Sequence, residues 1–327
     1  MLNLSRYFLC ARLSGGLIFF GGISAKTYAH VKWFTNSDTI HDSPSFTYLE
    51  IGVSIALLLM GIVSAKILND FCVRQRIFLS YRVSHDLKPL RVFQYLLVFY
   101  LVGCAWSGKL LVPHIHFGQF ATWAGVFTQL FIATLLIMRY KPEVAAMLLC
   151  LLLFTVGAHE NSFLVEYMLL VGIVCIVFAG QKVPSNYSIT LLRVTLGISL
   201  IALGLTEKLL QPELALNVLA QYPLNFIQHF GMTFSDTWFV LTAGVVELLI
   251  GMLFVLGLMV RTTTLVIIGL MAASNFYFFC IGNYSLAIME LIGHLPVFAA
   301  GVLLIFYHGK VAPKVQMQRF YKPVSEG

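Results

Sequence analysis

The chain has 327 residues, of which 59% are apolar and 11% charged, with a net charge of +7 and a mean hydropathy of +0.87. An ordinary soluble domain carries about 25% charged residues, so the composition excludes a soluble globule and predicts an all-α, polytopic transmembrane helical bundle. Lys and Arg cluster between apolar stretches rather than on one basic face, which excludes nucleic-acid binding as the source of the positive charge.

Windows of about 20 mainly apolar residues, enough to cross roughly 30 Å of hydrocarbon as a helix, can be placed about ten times. They fall at 7–26, 47–69, 91–112, 118–139, 143–159, 162–180, 187–209, 237–260, 262–281 and 284–307. The first opens on Arg12-Leu-Ser-Gly-Gly16 and closes on Gly22-Ile-Ser-Ala-Lys26. Its Ile23-Ser24-Ala25 resembles a signal-peptide cleavage site, but an interior span repeats the same pattern, which a discarded signal has no reason to do. Glu50 lies in the second span, followed by the basic stretch Arg74, Arg76, Arg82, Lys88 and Arg91. Arg139 and Lys141 separate spans four and five, Lys182 separates six and seven, and Arg261 separates eight and nine. Lys310, Lys314, Arg319 and Lys322 follow the last span. All these cations lie on one side of a ten-span topology, which the positive-inside rule makes cytoplasmic, with both termini inside. Six scattered cysteines without a C-x-x-C spacing read as packing residues.

The first-span pattern returns as Arg193-Val-Thr-Leu-Gly197 and Gly204-Leu-Thr-Glu-Lys208, and more loosely from Arg91 to Lys109-Leu-Leu-Val-Pro113, which answers Lys208-Leu-Leu-Gln-Pro212. The following helices carry Ala124-Gly125-Val126 and Ala243-Gly244-Val245. The distance from Arg139 to Glu166, 166 − 139 = 27, is close to that from Arg261 to Glu290, 290 − 261 = 29. Such repetition predicts duplicated units: a two-helix half-unit and basic loop at 1–90, four-helix units at 91–186 and 187–307, and a basic tail at 308–327.

With Arg193, Gly197, Gly204, Lys208, Glu247, Gly251, Gly257 and Arg261, the last unit resembles the DoxX-like membrane proteins. Residues 91–180 share the likeness more weakly. A weaker likeness, on Arg91-Val-Phe-Gln94, Tyr100 and Gly108-Lys109-Leu110, is to horizontally transferred transmembrane domains. The DoxX resemblance implies an inner-membrane protein associated with respiratory or redox partners, including a quinone-reducing oxidoreductase.

Three groups of residues are candidates for chemistry. Glu247 lies about ten residues into span eight, roughly 15 Å deep at about 1.5 Å per residue. Glu290 and His294 are four apart and share a face of span ten. Ionisable groups at such depth are costly and often mark proton, ion or substrate paths; the alternative is a hydrogen-bonded packing network. Arg193 and Lys208, at opposite ends of span seven, read as snorkelling anchors or as quinone partners. His114, His116, His159 and Glu160, on neighbouring outer turns, form a possible site for Zn, Cu or Fe, or are interfacial polar residues. The apolar loop at about 210–236 is expected to form short amphipathic pieces that cover the bundle or gate a lipid-soluble ligand.

Three functions follow as expectations. One is a redox-associated protein in which Glu247, Glu290 and His294 handle protons for a quinone or a respiratory partner. The second is metal handling through the histidine set. The third is a non-catalytic scaffold.

Overall fold

The computed structural model describes residues 46–74, 86–111, 117–159, 163–180, 182–229 and 231–308. Among them the chain is helical throughout: α1 Tyr48–Arg74, α2 Lys88–Trp106, α3 Gln119–Met138, α4 Pro142–His159, α5 Phe163–Glu166, α6 Met168–Phe178, α7 Asn186–Leu203, α8 Pro212–Gln221, α9 Phe226–His229, α10 Asp236–Leu256, α11 Val260–Cys280 and α12 Tyr284–Tyr307. A π-helical turn, Gly204–Leu209, continues α7. Counting α7 with this turn, seven of these helices are long and apolar enough to cross a membrane, whereas α4 and α6 are shorter. The first expected span, 7–26, and the basic tail beyond His308 lie outside the described residues.

Local chemistry sets the helix ends. Ser185 accepts a hydrogen bond from Ser188 N at 3.1 Å to start α7, and Ser235 accepts from Trp238 N at 3.3 Å to start α10. Each satisfies one of the donors that a helix N-terminus leaves without a partner. Gly257 ends α10 at φ 74°, a left-handed cap that costs glycine little. The 210–236 segment folds into α8 and α9; α8 packs on α10 and the π-helical turn through buried Pro212, Ala215 and Val218, so it covers the bundle. Among the cysteines, Cys104 is buried, but Cys150 and Cys280 face outward and do no internal packing.

Two helix groups share the core. In the first, α2 packs on α3, α3 on α4 and α4 on α6; in the second, α7 packs on α10, α10 on α11 and α11 on α12. The groups join reciprocally, the first helix of each lying against the last helix of the other: α2 on α12 and α6 on α7. Both joints use a glycine for close approach. An added Cβ at Gly103 would stand 2.9 Å from Ile292, and one at Gly172 would collide with the Thr195 side chain and the Leu192 backbone.

Within each group the segment after the first helix presses on a glycine of the next. Leu110 leaves Gly125 no room for a side chain, and Leu209 stands 3.0 Å from where a Cβ of Gly244 would be. Leu110 and Leu209 each follow the matched lysine, Lys109 or Lys208. The polar groups beside these contacts differ. Gln129 accepts from Leu111 N at 3.0 Å and donates to Lys109 O at 2.9 Å, whereas Glu247 pairs with the Lys208 ammonium.

One expected span is not continuous. The run at 162–180 breaks at Tyr167 into α5 and α6, and Ser199 of α7 accepts from Leu169 N at 2.9 Å, replacing a helical partner. Irregular backbone at membrane depth persists where it is buried in protein or lines a cavity.

Candidate functional site

The break at Tyr167 opens onto a cavity between the two helix groups. Tyr100 of α2, Glu166, Tyr167, Leu169 and Leu170 at the break, Ser199 and its apolar neighbours on α7, Met271 of α11, and Gly293, His294, Pro296 and Val297 of α12 line it. Its water-accessible volume is about 60 Å³. One water needs about 15 Å³ on this measure, so the space is large enough for a few waters. An apolar cavity that takes benzene is about 150 Å³; a quinone ring therefore does not fit without the helices moving.

The polar groups around it come from both helix groups. Glu166 is 3% exposed and its Oε1 lies 3.5 Å from the Thr206 hydroxyl, whose one hydrogen has its shorter acceptor in Ala202 O at 2.9 Å. His294 is 5% exposed and meets Asn275 of α11 through its Nδ1 at 2.7 Å. One turn before His294, Glu290 is buried, and its Oε2 has no hydrogen-bond partner among the described residues; the Ser274 hydroxyl donates to Met271 O at 3.0 Å. Pro296 lies inside α12 and has no N–H, so the Ile292 carbonyl one turn earlier lacks its ordinary helical donor. The Tyr100 hydroxyl, by contrast, is committed to Leu111 O.

The expected residues separate accordingly. Glu290 and His294 share a face of α12 as their spacing predicts, and of the three expected residues His294 borders the cavity while Glu290 and Glu247 do not; Glu247 faces the Lys208 ammonium where α10 crosses the π-helical turn. Arg193, expected as a snorkelling anchor or a quinone partner, is buried against the C-terminus of α10, where Nη1 donates to Phe254 O and, at 3.1 Å, to Val255 O. Lys208 is likewise held inside, with 17% of its side chain exposed. Arg261 does for α12 what Arg193 does for α10, donating from Nη2 to His308 O at 2.8 Å. Cations favour helix C-termini, where the macrodipole is negative.

His114, His116, Glu160 and the side chain of His159 lie outside the described residues. Among the described residues no group of three or more His, Cys, Asp or Glu side chains could hold a metal ion. Sequence reasoning placed Glu166 only as the counterpart of Glu290 and passed over Asn275, although a carboxamide and a carboxylate in apolar runs are the kind of signal that marks an intramembrane site.

The family model described as DoxX matches residues 188–280. Over this segment the chain is similar to the DoxX family. The DoxX segment covers α7 through α11, including the Arg193 cap, the Lys208–Glu247 pair and Asn275, and stops short of Glu290 and His294 on α12. No curated protein and no solved structure matches the chain.

Proposed function

We propose that this DoxX-type membrane protein handles protons within the bilayer for a redox partner, with Glu166 and Glu290 as the exchanging acids. The observation that carries this reading is the water-sized cavity at the junction of the two helix groups. Glu166 borders it at a broken helix, and His294 and the Pro296 kink border it on the opposite group. Carboxyls buried at this depth persist at a cost and recur along proton paths. The π-helical turn and the broken span mark the same region as irregular, as π-bulges and discontinuous helices do at functional sites.

The redox link rests on the resemblance to DoxX-like proteins, and electrons would come from the partner. Because a quinone ring exceeds the cavity, quinone chemistry is assigned to that partner and not to this chain. Glu247, which the sequence places among the proton-handling acids, has in this reading the structural task of neutralising Lys208.

The test is proton uptake into vesicles that contain a pH-sensitive dye, under an imposed membrane potential. Wild-type protein should acidify the lumen faster than protein-free vesicles, and Glu166→Gln with Glu290→Gln should lose most of that difference. Equal rates for wild type and empty vesicles, or an unaffected double variant, would overturn the reading.

A further inference from the structure

Asn275 settles which nitrogen of His294 carries the proton. Its Nδ2 is 2.7 Å from Met271 O and 2.7 Å from His294 Nδ1. A backbone carbonyl oxygen can only accept, so the amide atom beside Met271 O is the nitrogen. The flipped amide would oppose two oxygens there and keep at most one of the two bonds. The carboxamide nitrogen has two hydrogens; one goes to Met271 O and the other to Nδ1. Nδ1 therefore accepts, and the neutral imidazole has its proton on Nε2.

We propose that Asn275 is a positioning residue that fixes His294 as the Nε2–H tautomer, so that Nδ1 is kept as an acceptor and is not a stop on a proton path. A relay through the ring would need Nδ1 to take up a proton while the Asn275 amide still points a hydrogen at it. The tautomer stands on the two Asn275 contacts and does not depend on the proton-handling reading above; His294 at the cavity border is what links the two.

The test is nitrogen-15 NMR of histidine-labelled protein in lipid bilayers at neutral pH, with the His294 signals assigned by their loss in His294→Gln. Wild type should show an unprotonated, pyridine-type Nδ1 and a protonated, pyrrole-type Nε2. Asn275→Asp, whose carboxylate can accept from the ring but cannot donate to it, should exchange the two signals, and Asn275→Leu should leave a mixture. A protonated Nδ1 in wild type, or a spectrum unchanged in both variants, overturns the proposal. A variant that fails to fold leaves the wild-type spectrum to decide it. If wild type shows the expected tautomer but vesicles take up no protons, the proton-handling reading fails while the fixed tautomer stands.

Discussion

Helices α7 and α10 cross at two facing glycines, and replacing either by alanine should force them apart. A Cβ at Gly197 would stand 2.6 Å from Gly251 O, and one at Gly251 would stand 2.8 Å from Gly197 O. Ordinary contact begins at 3.4 Å, so the backbones must separate by 3.4 − 2.6 = 0.8 Å along that line. A gap of about 0.5–1 Å forfeits a quarter to a half of each dispersion contact. For roughly 20 contacts of about 0.15 kcal/mol each, that is about 1 kcal/mol. Backbone shifts forced by overpacking typically cost about 1–3 kcal/mol, so each single variant should lose about 2 kcal/mol. The double variant Gly197→Ala/Gly251→Ala should lose clearly less than twice that, because one separation accommodates both methyls and contacting residues are not additive. Gly52→Ala and Gly269→Ala are the controls, since nothing lies within 4 Å of a Cβ at either position. The assay is unfolding in mixed micelles titrated with sodium dodecyl sulfate, followed by tryptophan fluorescence. Additive losses, or single variants as stable as the controls, would refute the close-crossing argument.

Other outcomes follow from the same contacts. Ser199→Ala removes the acceptor for Leu169 N; it should lower stability by about 1–2 kcal/mol in the same titration, the lower figure applying if a cavity water takes the bond. Lys208→Met leaves Glu247 without its counter-ion and should cost about 1–3 kcal/mol, less than the 3–5 typical of a fully buried pair. The double variant Lys208→Met/Glu247→Met should recover part of that loss, which a double-mutant cycle measures. Burial, with the Arg193 and Arg261 guanidiniums nearby, pushes the His308 imidazole down to about 4 from its ordinary 6.5. Between those values the unfolded chain binds a proton that the folded one does not. The His308 contribution is therefore complete above about pH 6.5 and is lost as pH falls toward 4. Melting temperature in detergent should fall over that window, and His308→Gln should flatten the fall.

The helices were legible because apolar runs of the right length have one stable form in lipid, the form that satisfies its own backbone. Lys109-Leu110 and Lys208-Leu209, matched in the sequence, each place the leucine against a glycine of the next helix. Four-residue spacing correctly put Glu290 and His294 on one face. The break at Tyr167 was not legible, because the run at 162–180 is evenly apolar and the hydroxyl that permits the break, Ser199, is 30 residues or more along the chain. The same applies to Arg193, whose partners Phe254 O and Val255 O are 61 and 62 residues away. The sequence groups Glu247 with Glu290 and His294 as ionisable groups inside the spans, but depth does not determine which way a side chain faces, and Glu247 faces Lys208.

What the brevity of α6 means depends on what surrounds it. Its 11 residues rise about 16 Å, and the single turn of α5 adds about 6 Å, against roughly 30 Å of hydrocarbon. No residue of α6 is exposed, and it packs on α4 and α7, so its shortness is met by protein and not by lipid. A short span enclosed in this way leaves the membrane no reason to thin, and keeps the interrupted backbone and Glu166 inside the bundle.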